Sequence, residues 1–480
     1  MYKGIKDIIH HRALKGGRQF NLMEKESIAS IIQKQRELFE SNRTKDVKFR
    51  LEQLNTLKKV IKKNEAAMYM AVYSDFAKSE FDTFMTELSM VYHEINLALK
   101  YLKEWCKPRK VASSLLHFPA KSYIYPEPLG TVLVIGAWNY PLQLCLVPAI
   151  SALAAGNTVI LKPGEQSAES SRILAAMINS NFPDDYFHVI EGAADVSSQL
   201  LNHRFDKIFF TGSATVGRII YKAAAEHLTP VTLELGGKSP AFVFRDANIR
   251  LTAKRLVWAK FLNAGQTCVA PDYILVEKSV EGVLLEAIKS EIKRYYKECS
   301  LTENYTQIIN DRHFERLSKL IDSGDVYCGG TRKAEIRFIS PTVMYNVSFD
   351  DEVMKEEIFG PVLPVIAFED IDVAIKAVKD RPKPLSAYVY TNNRKIVKKL
   401  IKEVSFGGGA INDSVMNLSN SNLPFGGVGL SGIGSYHGKT GFDTFSHFKS
   451  IYRNSFRFEP PLKYPPYTKA KLRLIRFLMR

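Results

Sequence analysis

Apolar residues follow one pattern in the first part of this chain and another in the rest. Between residues 51 and 72 they recur at spacings of three and four, the period of an amphipathic helix, and this texture extends over residues 24–105. From residue 117 onward short apolar runs end at turn-forming Gly, Pro or Asn, which is typical of buried strands. The chain therefore begins with helices and continues as a mixed α/β protein.

Strands and helices alternate through the central part of the sequence. Predicted strands cover residues 132–135, 157–163, 187–192, 207–213, 239–244 and 272–277. Predicted helices cover residues 149–156, 167–179, 216–228, 248–263 and 279–297. This alternation predicts parallel, doubly wound sheets, which bind ligands at the carboxyl ends of their strands. Two such α/β domains with a cleft between them are the simplest arrangement.

Composition restricts the class of protein. The 480 residues include 46% hydrophobic and 24% charged residues, near the averages for soluble globular proteins. Cysteines 106, 145, 268, 299 and 328 are too scattered for a disulfide framework, and no Cys/His cluster indicates a metal, so we expect no metal and a reducing cytoplasm. The net charge of +16 fits an anionic membrane surface or a lysine-rich exterior, and no nucleic-acid module is present.

Both ends of the chain are basic. Residues 1–22 lack a continuous apolar stretch, so they do not form a secretory signal, and Met23 is an alternative start. No apolar run reaches the roughly 18 residues that span a bilayer. In residues 463–480, apolar and basic side chains interleave, which predicts either a reversible membrane-surface contact or packing on the protein's own body.

Cys268 stands in the segment NAGQTCVAPD, between Gly265 and Pro271. A free cysteine is among the most buried residue types, so structural burial is one interpretation. The other is a nucleophile, which requires a base or oriented amides to stabilise the thiolate. This segment by itself favours burial, and other parts of the sequence are needed to decide.

Three further segments contain groups suited to such chemistry. Glu234 closes an apolar strand before two glycines, where it is either exposed or held in a cleft as a general base. Asn139 follows a buried strand, and its amide can donate to an oxyanion. Glu357 and Phe359 lie two apart on a strand-like stretch, which predicts that both side chains share one face. The carboxylate can then accept hydrogen bonds from ribose hydroxyls, and the phenyl ring can pack on a flat ring.

Eight motifs in order closely resemble the aldehyde dehydrogenase superfamily, from about residue 27 to the tail: GAWNYPLQL, LKPGEQSAE, FFTGSATVG, TLELGGKSP, AGQTCVAPDY, EEIFGPVLP, PFGGVGLSGIG and SYHGKTGFDTFSH. The last two resemble its class 3, fatty and aromatic aldehyde branch. The resemblance implies two doubly wound domains with a small bridging arm. It places an NAD(P)-binding domain at residues 1–234 with the arm near 113–129, a catalytic domain at 235–415, and a return segment, bridging strand and basic tail at 416–480.

The resemblance also implies a reaction, the NAD(P)-dependent oxidation of an aldehyde to its acid. Cys268 matches the thiol that forms a thiohemiacetal and then a thioester. Asn139 matches the oxyanion hole together with the Cys268 backbone N–H, and Glu234 matches the base that activates the hydrolytic water. Medium- or long-chain aliphatic or aromatic aldehydes are the implied substrates.

Further motif positions match the cofactor site of the family. They are Trp138, Lys162, Glu165, Gly212, Ser213, Gly217, Leu235, Glu357 and Phe359. The segment GSATVG departs from the general G-x-G-x-x-G fingerprint, so it indicates a dinucleotide only within the family. Glu165 near the ribose would repel a 2′-phosphate, which favours NAD, with NADP as the alternative cofactor.

Two other functions stay open on the sequence. A nucleotide-independent cysteine esterase or thioester hydrolase would use Cys268, Asn139 and Glu234 but leave Lys162 and Glu357 without a task. A non-enzymatic membrane-associated protein on the same scaffold would not need the catalytic positions, which are all present. By the same resemblance, we expect a homodimer. We expect it in the cytoplasm, and bound peripherally to a membrane surface if the C-terminal tail contacts one.

Overall fold

Helices make up the first part of the chain and then alternate with strands. The computed structural model describes residues 27–114, 117–296 and 305–479, so Met23 and Cys299 lie outside the described residues. The α-helices of these ranges are α1 (Ile28–Glu40), α2 (Val47–Phe76), α3 (Glu80–Thr83), α4 (Ser89–Trp105), α5 (Gln143–Ala155), α6 (Ala168–Asn179), α7 (Ala194–Leu201), α8 (Ala214–Glu226), α9 (Ile249–Phe261), α10 (Glu281–Tyr295), α11 (Asp311–Asp322), α12 (Glu352–Lys355), α13 (Ile371–Lys379), α14 (Arg394–Glu403), α15 (Gly438–Thr444) and α16 (Lys469–Leu478).

The strands of the described ranges fall into two large sheets and two small ones. They are β1 (Arg109–Val111), β2 (Lys121–Pro128), β3 (Thr131–Ile135), β4 (Thr158–Lys162), β5 (Phe187–Val189), β6 (Lys207–Thr211), β7 (Val231–Glu234), β8 (Pro240–Val243), β9 (Tyr273–Glu277), β10 (Val326–Cys328), β11 (Arg332–Lys333), β12 (Phe338–Ile339), β13 (Thr342–Met344), β14 (Val362–Phe368), β15 (Ser386–Tyr390), β16 (Gly408–Ile411), β17 (Gly432–Ile433) and β18 (Ser446–Arg453).

The first large sheet has the order β17-β7-β6-β3-β4-β5, and its strands are parallel except for β17. Its central strands are buried along their whole length because helices cover both faces, as expected for a parallel sheet. The N-terminal helices belong to this cover: Gln35 of α1 donates to the carbonyl of Val159 at 3.0 Å. The helical region and the α/β alternation predicted from the sequence are thus confirmed.

The second large sheet has the order β10-β13-β14-β9-β8-β15-β16, again parallel except at one edge, where β10 runs antiparallel to β13. The chain leaves the first sheet at Glu234 and enters the second at Pro240. Strand β17 returns to the first sheet, pairing Gly432 with Glu234. The two sheets confirm the doubly wound α/β fold, whereas the domain boundaries at 234 and 415 stay a prediction.

A three-stranded antiparallel sheet, β1-β2-β18, stands apart from the two large ones. Strand β2 lies within the arm predicted near residues 113–129 and pairs with β18 over eight residues, from Ser446 opposite Pro128 to Arg453 opposite Lys121. The C-terminal helix α16 follows, and its apolar side chains Leu472, Leu474 and Phe477 are exposed. Among the described residues, no helix is long and apolar enough to cross a bilayer.

Several predicted boundaries were shifted by local chemistry. Helix α5 begins six residues before the predicted residue 149, and its end is set by Gly156, whose φ of 102° permits the left-handed turn. Helix α8 begins at Ala214 because the Ser213 hydroxyl caps it, accepting from the Val216 N–H at 3.3 Å. Strand β5 is shorter than predicted and ends at Val189.

Candidate active site

The segment before Cys268 is a tight turn that ends helix α9. Asn263, Ala264 and Gly265 have φ values of 55°, 52° and 72°, three successive left-handed residues. Asn263 stabilises this backbone, since its side-chain amide donates to the carbonyls of Asn139 at 2.9 Å and Gln266 at 3.1 Å. The backbone that leads to the cysteine is therefore fixed and strained.

Asn139 lies directly against this turn. Its side-chain amide donates to the carbonyl of Gln266 at 3.0 Å, two residues before Cys268. The neighbouring Tyr140 hydroxyl is 2.5 Å from the hydroxyl of Thr267. The structure thus brings the loop after β3 and the cysteine loop together, although they are far apart in sequence.

Cys268 is half-buried, whereas Cys145 is fully buried. The thiol lies in a small apolar cluster with the partly buried Trp258, Leu418 and Phe425. Burial raises the pKa of Cys268 to about 12, with the charges of Glu357 and Glu234 adding to the rise, while the backbone N–H groups of Cys268 and Val269 oppose it. The resting form is a thiol, so a base must remove its proton before it can attack.

Glu234 ends β7 and is 3% exposed. Neither of its carboxylate oxygens has a hydrogen-bond partner among the described residues. Desolvation alone raises its pKa well above the ordinary value. A buried carboxyl with unused acceptors costs folding free energy, which indicates a functional group rather than a structural one.

Glu357 and Phe359 do not lie on a strand, and this prediction was wrong. Strand β14 begins at Val362, and Phe359 has a left-handed φ of 49°. Because of this turn, the alternation of a strand does not apply. Phe359 nevertheless reaches the cleft, where its ring makes an edge contact with Trp138 at a centroid distance of 5.4 Å. The Glu357 carboxyl accepts from the Gly237 N–H, and burial raises its pKa to about 8, with Asp272 adding to the rise.

The groups predicted to bind a dinucleotide surround the start of helix α8. Ser213 caps the helix, Gly212 precedes it, and Gly217 lies in its first turn. A Cβ at Gly217 would be 2.8 Å from a methyl carbon of Leu235, so glycine allows the helix and this side chain to pack closely without a shift of Leu235. A capped helix N-terminus beside a sheet edge offers free N–H groups to an anionic pyrophosphate, and these residues fit the group.

Lys162 and Glu165 follow β4. Lys162 is 1% exposed, and its Nζ donates to the carbonyl of Pro163 at 2.9 Å and to Oε2 of Glu165 at 3.3 Å. Half of the Glu165 side chain is exposed, so this carboxylate is free to meet a ribose from solvent. Their neighbour Gly164 lies against the backbone of Trp138, which places both loops at the same edge of the first sheet.

Sequence reasoning missed several residues of the site. Lys238 and Asp272 form a largely buried ion pair of 2.5 Å next to Glu357. Lys260, fully buried, has no hydrogen-bond partner for its Nζ within the described ranges, and desolvation lowers its pKa to about 8. The only sequence signal was spacing, because Lys238 follows Glu234 by four residues and Asp272 follows Cys268 by four.

Comparison with known proteins agrees with this geometry. The model of the aldehyde dehydrogenase family matches residues 13–451. The chain belongs to the aldehyde dehydrogenase family. A 4,4′-diaponeurosporen-aldehyde dehydrogenase of Staphylococcus aureus is 45% identical over 91% of this chain and 96% of its own. A mouse dimeric NADP-preferring aldehyde dehydrogenase is 44% identical over 92% and 98%. An aldehyde dehydrogenase family 3 member A2 from Pongo abelii is 42% identical over 93% of each chain.

Solved aldehyde dehydrogenase structures share the fold. The substrate-bound state of Staphylococcus aureus AldH has a TM-score of 0.93 at 43% identity, covering 95% of this chain and all of its own. An NAD⁺ complex of a Bacillus cereus aldehyde dehydrogenase has a TM-score of 0.80 at 26% identity, covering 89% and 88%. This member of the class 3 branch is an NAD(P)-dependent aldehyde dehydrogenase, and the hydrolase and non-enzymatic alternatives are not favoured.

Proposed function

We propose that this aldehyde dehydrogenase oxidises apolar aldehydes by covalent catalysis on Cys268. The observation that supports this role is the convergence of four segments of the chain. The cysteine loop is hydrogen-bonded to Asn139, and the charges of Glu234 and Glu357 both act on the thiol. Each of the four groups comes from a different loop, and together they supply a nucleophile, an oxyanion donor and two carboxyls that exchange protons.

The first half-reaction is acylation of the thiol. Glu234, once ionised, takes the thiol proton, and the Cys268 sulfur bonds to the carbonyl carbon. The oxygen becomes an oxyanion that accepts from the Asn139 amide and the Cys268 backbone N–H. NAD(P), when bound, would supply the hydride acceptor. Loss of the carbon-bound hydrogen as hydride, as the carbonyl re-forms, would leave a thioester on Cys268.

The second half-reaction is hydrolysis of the thioester. Neither carboxylate oxygen of Glu234 is hydrogen-bonded to any of the residues that the structure describes, which leaves both available to accept from a water molecule. Glu234 first releases to solvent the proton that it took from the thiol. The ionised carboxylate then removes a proton from the water as the water oxygen attacks the thioester carbon. The carbon–sulfur bond breaks, the acid departs, and Glu234 returns its proton to the thiolate.

Cofactor contacts extend these roles. Glu357 would accept from the ribose hydroxyls next to the nicotinamide, and Phe359 and Trp138 would line the pocket there. The N-terminus of α8, with Gly212, Ser213 and Gly217, would hold the pyrophosphate, and Leu235 packs against Gly217. Lys162 and Glu165 would bind the adenosine ribose. The charge of Glu165 favours NAD, although a relative is named as NADP-preferring, so both cofactors are expected to serve.

Rapid mixing of enzyme, cofactor and aldehyde tests the mechanism. We expect a burst of reduced nicotinamide and, after acid quench, an acyl mass on the tryptic peptide that contains Cys268. Reduced nicotinamide formed with no acyl adduct on that peptide, even when the Glu234→Gln variant is used to slow hydrolysis, would exclude the covalent route.

Substrate preference should follow the apolar surroundings of the thiol. Trp258, Leu418 and Phe425 lie in the cluster around Cys268, which favours medium- or long-chain aliphatic or aromatic aldehydes over small polar ones. A panel of aldehydes from short to long, assayed for kcat/KM with each cofactor, tests this. Equal or higher kcat/KM for short, hydrophilic aldehydes would contradict it.

We also propose a homodimer, because strand β18 forms an edge of the bridging sheet and carries exposed Phe448, Ile451 and Tyr452. A mouse relative is named dimeric. Sedimentation equilibrium of the wild type and of Phe448→Asp with Ile451→Lys tests this. Dimeric wild type and monomeric double variant are expected, and a monomeric wild type would refute the proposal.

We place the enzyme in the cytoplasm, with reversible contact between helix α16 and anionic membranes. Lys469, Lys471, Arg473 and Arg476 lie on the same helix as exposed Leu472 and Phe477, so charge and apolar area act together. The wild-type protein should sediment together with phosphatidylserine vesicles, and the double variant Leu472→Glu with Phe477→Glu should stay in the supernatant. Equal binding by both forms would contradict this contact.

A further inference from the structure

One ion pair joins the three loops that contain Glu234, Cys268 and Glu357. Lys238 comes four residues after Glu234, and Asp272 comes four residues after Cys268. Their side chains are 2.5 Å apart and only 13% and 5% exposed. The pair lies where strands β8 and β9 begin, and the Asp272 N–H donates to the carbonyl of Ser239 at 2.8 Å. It therefore belongs to the framework of the second sheet.

The same pair holds the backbone on both sides of Glu357. The Lys238 ammonium donates to the carbonyls of Glu356 and Val353, each at 2.9 Å. The Asp272 carboxylate accepts from the Ile358 N–H at 3.0 Å. Glu357 stands between these two anchored residues, outside any strand, so no sheet ladder fixes its position.

Glu357 itself is fixed at its carboxyl group by the residue before Lys238. The Gly237 N–H donates to it, and a Cβ at Gly236 would be 1.8 Å from its Oε2. Gly236 thus leaves space for the carboxyl and Gly237 donates to it, while the ion pair sets the backbone that presents it. The segment 236–238 therefore contributes to both parts of this arrangement.

We propose that Lys238 and Asp272 form a positioning clamp that holds Glu357 in the orientation required to bind the cofactor ribose. This proposal rests on the proposed function, in which Glu357 is the ribose acceptor. Lys238 and Asp272 are positioning residues, because they act through Glu357 and its backbone. A buried ion pair is weak evidence for stability as such, which makes a role in geometry the more informative explanation.

An apolar replacement of the whole pair separates positioning from stability. The double variant Lys238→Met with Asp272→Leu leaves no unpaired charge, and such replacements are often neutral or stabilising. The variant frees the backbone groups that the pair holds, so we expect its Tm to lie close to the wild-type value rather than to fall as it would with one unpaired charge. Its Kd for NAD and for NADP, measured by quenching of protein fluorescence, should rise about tenfold, equal to about 1.4 kcal/mol, while the aldehyde KM changes little.

The double variant is then repeated in a Glu357→Gln background. If the clamp acts through Glu357, removing the pair from Glu357→Gln adds little further loss of affinity. A tenfold loss in both backgrounds would overturn the clamp but leave the cofactor role of Glu357 standing. Unchanged cofactor affinity in Glu357→Gln alone would overturn that role, and the clamp with it.

Lys260→Met is the matched control for charge. Lys260 is buried, and its charge interacts with Asp272, Lys238 and Glu357, but its Nζ makes no hydrogen bond to the Glu357 segment. The variant removes a nearby positive charge and leaves the clamp intact. It should weaken cofactor binding far less than the double variant. An equal loss of affinity would mean that the positive charge near Glu357, and not the clamp, determines cofactor binding, and would overturn the clamp.

Discussion

Gly265 and Gly360 are in backbone contact across the active site. A Cβ built at Gly265 would lie 2.2 Å from the carbonyl oxygen of Gly360, and Gly265 also has a φ of 72°. Gly265 is three residues before Cys268, and Gly360 is three after Glu357. The nucleophile loop and the cofactor loop are therefore held at a fixed separation that only glycine permits.

Gly265→Ala should greatly reduce activity, because the added methyl group meets backbone that cannot move without shifting one of the two loops. We expect kcat/KM to fall by about 10²-fold and Tm to fall as well. Gly282→Ala is the matched control, since nothing lies within 4 Å of its Cβ position in helix α10. That control should be as active as the wild type and slightly more stable, and equal activity of Gly265→Ala would contradict the contact.

Cys268→Ala should abolish aldehyde oxidation by a factor on the order of 10³ or more, because the covalent route loses its nucleophile. Cofactor binding should persist, since no predicted cofactor contact involves the sulfur. Steady-state assays and equilibrium titration with NAD and NADP measure both. Cys145→Ala is the cysteine control, and a Cys268→Ala enzyme with normal turnover would refute the assignment.

Glu234→Gln should mainly slow hydrolysis of the thioester, by about 10²-fold or more, because the amide cannot take a proton from water. A burst of reduced nicotinamide followed by a slow steady state is the expected time course, with an alkaline medium used to supply thiolate. If the variant instead lost the burst but hydrolysed a preformed thioester at the wild-type rate, Glu234 would act in acylation and not in hydrolysis.

Glu234→Gln should also change how stability depends on pH. The folded-state pKa of Glu234 lies well above the ordinary value of 4.5, so the folded protein retains a proton that the unfolded chain has lost. The free energy of unfolding contributed by this group therefore falls as pH rises above 4.5. The variant should match the wild type in Tm at pH 5 and exceed it at pH 8. A variant with exposed Glu165→Gln is the control, and an identical pH profile for Glu234→Gln and wild type would contradict this.

Cofactor affinity should increase with pH through the titration of Glu357. Its pKa of about 8 means that the carboxyl is protonated below that pH and accepts ribose hydroxyls poorly. The surrounding charges are Asp272, which raises this pKa, and Lys238 and Lys260, which lower it. We expect Kd for NAD to fall between pH 6.5 and 9 in the wild type, and to vary little in Glu357→Gln. Parallel profiles of the two would exclude Glu357 as the titrating group.

Much of the fold, and the positions of several candidate site residues, could be predicted because they depend on the pattern of neighbouring residues. Buried strands separated by turn residues gave the two sheets, and Glu234 at the end of β7 was recognisable from its apolar run. Asn139 was expected after β3 for the same reason. The strand prediction for Glu357 and Phe359 failed because a left-handed residue interrupts the segment, and the sequence around Phe359 contains no sign of that turn before Gly360.

The sequence by itself determined the family and the doubly wound architecture, because periodicity and motif order are properties of neighbouring residues, and it predicted which groups react. Only the tertiary structure decided how those groups are held. The pairing of Lys238 with Asp272 and the contact of Gly265 with Gly360 join segments that are distant in sequence. The burial of Glu234 without a hydrogen-bond partner in the described part of the chain likewise depends on distant segments. Burial and protonation depend on which segments pack together in space, and no local pattern encodes that packing.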